Sequence, residues 1–315
     1  MTRDGNPFSE HGEVHPRRVM QEGGKDCMTQ LITMDQQYLE EGSPPLFIRR
    51  ISPETWYAQL IFVHASMVHS EYYLPIALKW AQEGIRVILP DLRGHGRSQG
   101  HRGHLEDFRQ HVNDVRRIYD HVQRAHSAPI FLAGESYGAL MAYLTCQNPL
   151  TNLCGAILIA PSFGLYFKLP MWLQYIMRQL VKPLWPTLRP IRPLSVDGVS
   201  VNPEIAQVIM QDRNANRHYT LGFLISLWEA QKYAWQNPLP PIPLLVLLST
   251  GDTITRNDQT EILLQHHQDL ELRYHSASAH SLMADQPEFV FRASLPWMLS
   301  HLGTRPTDSP LITYS

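Results

Sequence analysis

The chain is poor in cysteine, with Cys27, Cys146 and Cys154 the only three in 315 residues. Three thiols at these spacings form neither a disulfide framework nor a zinc site, which excludes the stapled secreted scaffolds and suits a reducing compartment. No apolar run reaches the ~20 residues that a membrane-spanning helix requires. The segment after Met1, Thr2-Arg3-Asp4-Gly5-Asn6-Pro7, has no apolar core of a signal peptide, so a cytoplasmic protein is expected. Nor is there an excess of one charge: 27 Lys and Arg face 29 Asp and Glu, interspersed, for a net charge of -2, which excludes a clustered nucleic-acid-binding face. What is present is 43% hydrophobic residues. In a chain of this length that builds a sizeable core, as one large domain with an insertion or as two small ones.

Residues 1–28 are polar and aperiodic and read as a disordered leader; residues 304–315 read as a loop tail. Between them, segments near Gln30–Asp35 and Leu46–Ile51 suggest an antiparallel pair. Short apolar runs then alternate with helical stretches: Gln59–His64, Ile85–Pro90, Pro129–Ala133, Gly155–Ala160, Pro243–Ser249 and Leu270–His275 as strands, with helices over Tyr73–Glu83, Leu105–Gln123, Asn257–Gln268 and Pro287–His301. This rhythm implies βαβ units, hence an α/β fold with a mostly parallel, doubly wound sheet. It breaks between residues 163 and 237, where prolines and tryptophans are frequent and strand signals are lacking. The expected organisation is a core over 29–162 and 238–303 and a helical cap over 163–237.

Gly134-Glu135-Ser136-Tyr137-Gly138 lies between a strand and a helix, the context of a nucleophile elbow. The glycines allow the tight turn and the close approach of its neighbours, leaving Ser136 at the apex. A serine hydroxyl is a weak nucleophile. It requires a base, and the base requires an acid to orient it. With such an elbow the chain order is serine, acid, histidine. Asp252 is the first carboxylate after the strand Pro243–Ser249, with Asp258 its nearest rival. His280 lies in the loop after the last strand, whereas His266, His267 and His275 fall on presumed helix or strand. Ser98 has neither a strand directly before it nor elbow glycines and reads as a turn residue. For a developing oxyanion, the backbone N–H of Tyr137 is one expected donor, and Ser66, in the loop after Gln59–His64, is by position the other.

Asp91 to Gly100, then Arg102-Gly103-His104, resemble the block after the fourth strand in monoacylglycerol lipases and bacterial lysophospholipase-like serine hydrolases of the α/β-hydrolase superfamily (serine aminopeptidase S33-type). His64 through Tyr73, the elbow, Gly251-Asp252, His280-Ser281-Leu282, Ile191 to Ser195 and Asn202-Pro203-Glu204 resemble further blocks of that family. The resemblance spans about residues 30 to 303. It implies the α/β-hydrolase fold with a helical cap, ester hydrolysis through an acyl-enzyme, no metal or organic cofactor, and Ser136, Asp252, His280, Ser66 and Tyr137 in the roles above. His95 and Arg97 are expected to be scaffold. One departure is His64-Ala65 where the family has His-Gly. Another is Met67, a bulky residue expected to contact substrate and shape the acyl site.

The stretch Phe163–Trp185 is apolar and aromatic, with Lys168, Arg178 and Lys182 its only charges. It suits a cap packed inward over an acyl pocket, a helix lying on a bilayer surface, or one face for each. The expected partner is a small acyl ester or lipid, with no nucleic acid. A thioesterase, acyltransferase or peptidase on the same three residues, or a ligand-binding protein without catalysis, remains open at this stage.

Overall fold

The computed structural model describes residues 17–19, 31–166, 170–189 and 198–302. Most of the expected leader and the tail lie outside the described residues. Within the leader, Arg17–Val19 forms a short strand, β1. Eight further strands follow: β2 (Ile32–Leu39), β3 (Leu46–Pro53), β4 (Ala58–Val63), β5 (Ile85–Pro90), β6 (Ile130–Glu135), β7 (Leu153–Ile159), β8 (Leu244–Ser249) and β9 (Leu270–His275). They form one sheet in the order β1-β2-β3-β5-β4-β6-β7-β8-β9. The pairs β1/β2, β2/β3 and β3/β5 are antiparallel, and every pair from β5 onward is parallel.

The helices are α1 (Leu74–Gln82), α2 (Arg109–Ala125), α3 (Tyr137–Cys146), α4 (Met171–Ile176), α5 (Lys182–Leu184), α6 (Pro203–Gln211), α7 (Leu221–Gln236), α8 (Asn257–Leu264), α9 (Leu282–Asp285) and α10 (Pro287–Ser300), with a π-turn at Met177–Val181 between α4 and α5. Helices cover both faces of the parallel strands, which is why those strands read as continuous apolar runs. Successive side chains still part to opposite faces. Ile61 and Val63 of β4, Leu132 of β6 and Leu158 of β7 pack with Val115 and Ile118 of α2 and Leu140 of α3. Leu60, Phe62, Phe131 and Ile157 pack with Ile76 and Trp80 of α1 and Val290 and Trp297 of α10.

Boundaries differ from expectation at several points; α8, for one, ends at Leu264 rather than Gln268. β2 runs on to Leu39, because its ladder with β3 continues to the pair Leu39/Leu46 and its half-exposed middle accepts Gln36 and Gln37. α2 begins at Arg109 rather than Leu105, because Asp107 Oδ1 accepts the Arg109 N–H at 2.8 Å and ends the preceding loop there. Between β7 and β8 the described residues contain helices and no strand. Asn202 caps α6 by accepting the Glu204 N–H at 2.9 Å, with Pro203 in its first turn, and Thr220 caps α7.

Candidate active site

Parallel strands bring their carboxyl ends to one edge of the sheet, where their loops can meet. β4 leads there into His64–Ser70, β6 into the elbow, β8 into Thr250–Thr255, and β9 into Ser276–Ser281. Ser136 sits between β6 and α3 with φ 55° and ψ -115°, a conformation that an L-residue holds only under constraint. The constraint is packing. A Cβ on Gly134 would lie 2.4 Å from the Gly138 carbonyl carbon, and one on Gly138 would lie 2.2 Å from the carbonyl oxygen of Val63.

The three distant side chains converge. Ser136 Oγ lies 2.8 Å from His280 Nε2, and His280 Nδ1 lies 2.7 Å from Asp252 Oδ2. Nδ1–H donates to the carboxylate, so Nε2 is free to accept the serine proton. Asp252 is itself held by the Ile254 and Thr255 N–H groups at 2.8 and 2.9 Å and by the Thr255 hydroxyl at 2.5 Å. Burial pushes the Asp252 carboxyl up. The hydrogen bonds and the charge of His280, with those from Thr255, outweigh burial and hold it below the usual carboxylate range. The rival Asp258 instead pairs with Arg256 at the surface.

Ser66 and Tyr137 line a cavity of about 840 Å³ together with Ser136 and His280. The neighbouring Ala65 N–H is taken by Tyr73 Oη at 3.0 Å, which leaves Ser66 as the next donor along the loop. Tyr137 is fixed by its hydroxyl, 2.7 Å from His111 Nδ1. Met67 also lines the cavity, and its carbonyl accepts the Asn216 N–H at 3.0 Å. The described lining is apolar apart from hydroxyls, Glu135 and His280: Val68, Ile76, Ile205 and Ile209 on one side, Phe223, Leu227 and Trp228 on another.

Ser98 lies away from this cluster. Its hydroxyl donates to the Asp91 carbonyl at 2.5 Å and accepts the Phe47 N–H at 2.7 Å, a turn role. Arg97 donates its N–H to Asp91 Oδ2 at 2.8 Å. His95 is buried between the rings of His64 and His111. Both are scaffold. Sequence reasoning passed over Glu135 and Tyr219. The first carried one signal, an acidic residue inside an otherwise apolar strand end. The second carried none, since its contacts cross the fold.

A family model described as "Serine aminopeptidase, S33" matches residues 55–287. The monoglyceride lipase of Homo sapiens is 27% identical over 308 residues, spanning 95% of this chain and 99% of that protein. The phospholipase YtpA of Bacillus subtilis is 27% identical over 212 residues, spanning 65% of this chain and 79% of that protein. Among solved structures, the monoacylglycerol lipase of Paleococcus ferrophilus superposes with a TM-score of 0.72 at 21% identity, over 81% of this chain and 99% of that one. A carboxyl esterase from Bacillus coagulans superposes with a TM-score of 0.74 at 17% identity, over 85% and 99%. With the sheet order above, these superpositions identify the α/β-hydrolase fold.

Proposed function

The chain belongs to the serine aminopeptidase S33 family, and from that premise we propose that it is a serine ester hydrolase acting on uncharged lipid esters of the monoacylglycerol type. The observation that carries this reading is the hydrogen-bonded series Ser136–His280–Asp252 on the floor of an apolar cavity. Ser136 Oγ attacks the ester carbonyl while His280 Nε2 takes its proton, and Asp252 stabilises the imidazolium that forms. The N–H groups of Ser66 and Tyr137 receive the oxyanion, each worth about 3 kcal/mol of barrier. His280 returns the proton to the departing alcohol, and water then cleaves the acyl-enzyme by the same route.

The lining selects among esters. Among the described residues no Lys or Arg faces the cavity, so the phosphate of a lysophospholipid finds no partner there. An aminopeptidase substrate would require a free carboxylate for its α-ammonium group. Glu135 is the one acidic residue of the described lining, and its oxygens already accept three hydrogen bonds. A glycerol head group needs only hydroxyl partners, which Ser66, Tyr72 and Thr253 supply.

The cap fits a lipid source. Met177 faces the cavity, while Trp172 and Tyr175 are 65% and 66% exposed and Leu180, Leu184 and Trp185 are exposed with them. This apolar, aromatic surface docks on a bilayer and delivers the ester to the cavity beneath. Arg178 and Lys182 both pair with Glu229 of α7, at 2.9 and 3.0 Å, so the contact rests on apolar burial more than on charge. Lys168 lies outside the described residues. No helix of the described residues is long and apolar enough to cross a membrane.

The test is a panel at equal concentration: a monoacylglycerol, a lysophosphatidylcholine of the same chain, an acyl thioester and amino-acid p-nitroanilides. The monoacylglycerol should turn over fastest. Faster cleavage of the nitroanilides or of the lysophospholipid contradicts the reading.

A further inference from the structure

We propose that Glu135 is a positioning residue whose carboxylate fixes the base loop and the oxyanion loop on either side of the nucleophile. The inference rests on the roles assigned above to Ser136, His280 and Ser66. Glu135 ends β6, immediately before Ser136, and is buried. Its Oε1 accepts the Ser281 hydroxyl at 2.8 Å and the Met283 N–H at 3.2 Å. Its Oε2 accepts the Tyr73 hydroxyl at 2.8 Å.

The direction of each bond follows from the others. Ser281 Oγ receives the Ala284 N–H at 3.2 Å, and Tyr73 Oη receives the Ala65 N–H at 3.0 Å. A hydroxyl has a single proton, and one that accepts from a backbone N–H turns that proton elsewhere. In both cases it points at Glu135. Three donors therefore converge on one carboxyl group, the pattern of an ionised acid.

The places of the partners give this arrangement its meaning. Ser281 follows the base His280, and Ala65 precedes the oxyanion donor Ser66. Glu135 thus reaches within one residue of each from the strand end that carries the nucleophile. Ser281 is 146 residues away and Tyr73 is 62, so neither contact shapes local secondary structure. A buried carboxylate is costly unless it is satisfied. Burial is the largest influence on Glu135 and pushes its acid up, against the bonds from Ser281, Tyr73 and Met283 and the charge of His280. The titratable groups facing it are Tyr73 and His280.

The test compares Glu135→Gln, Ser281→Ala, Tyr73→Phe and Ser136→Ala in the full chain, using p-nitrophenyl butyrate. Glu135→Gln keeps the shape and removes the charge. It should lower kcat by about 10- to 100-fold while KM changes by less than roughly twofold. Tyr73→Phe should likewise lower kcat with KM little changed, and Ser281→Ala should slow labelling of Ser136 by a fluorophosphonate. Wild-type kcat in folded Glu135→Gln, or a loss carried by KM rather than kcat, overturns the proposal. If that variant does not fold, wild-type kcat in both Ser281→Ala and Tyr73→Phe overturns it. Full turnover in Ser136→Ala would instead remove the reading on which the proposal rests.

Discussion

The hydroxyl of Tyr219, just before the cap helix α7, donates to the carbonyl of Ser66, 153 residues earlier in the chain. The segment between β7 and β8 is therefore tied to the loop of Ser66 by this bond as well as by the one from the Asn216 N–H to the Met67 carbonyl. Tyr219→Phe removes the first without emptying the space. A net hydrogen bond of about 1 kcal/mol corresponds to roughly a fivefold loss in kcat. Steady-state kinetics on a short p-nitrophenyl ester check this, and an unchanged kcat means that this bond does not hold the loop.

Asp252 and Asp258 test the proposed division between a catalytic and a surface carboxylate. Asp252→Asn leaves the shape but no longer holds the His280 tautomer, and kcat should fall by about 10³- to 10⁴-fold. Asp258→Asn weakens the exposed pair with Arg256 and should leave kcat within about twofold. Equal losses in the two variants contradict the assignment.

Stability should decline in mild acid. Burial pushes the imidazole of His64 down to about 4 and that of His111 to about 3, and it lowers His95 well below its ordinary value. In the unfolded chain these groups titrate near pH 6.5. Between about pH 6.5 and 4 the unfolded chain therefore binds more protons, and stability falls as pH falls. Burial raises the carboxyls of Glu135 and Asp114, which act in the opposite sense and offset part of the loss. The net expectation is that the free energy of unfolding at pH 5 lies below that at pH 7 by on the order of 2–4 kcal/mol. Urea titrations at the two pH values measure it, and equal midpoints and slopes contradict it.

The cap surface predicts lipid binding of a particular kind. Because Arg178 and Lys182 are paired with Glu229, vesicles of neutral phosphatidylcholine should bind nearly as well as vesicles containing phosphatidylserine, with little dependence on salt. Replacing Trp172 and Trp185 by Ser should weaken sedimentation with vesicles at least tenfold while leaving hydrolysis of a water-soluble ester within about twofold. Binding that requires anionic lipid, or that survives the double substitution, argues against this surface.

The fold class was legible because continuous apolar strands and intervening helices are local patterns. The meeting of Ser136, Asp252 and His280 follows from two constraints that a linear chain displays, the glycine spacing of the elbow and the order of strand ends. Boundaries were less legible. The end of β2 depends on its ladder partner across the hairpin, and the start of α2 on one side chain of Asp107. Least legible were Glu135 with Ser281 and Tyr73, and Tyr219 with Ser66. Each is a long-range polar pair whose members have no periodicity or spacing in common.

The most direct measurement of the central claim is reaction of the full chain with a fluorophosphonate, followed by peptide mass spectrometry. The account predicts a single phosphonate adduct on Ser136, and loss of both that adduct and p-nitrophenyl ester turnover in Ser136→Ala. An adduct on another serine, or undiminished turnover in the folded Ser136→Ala protein, would contradict it.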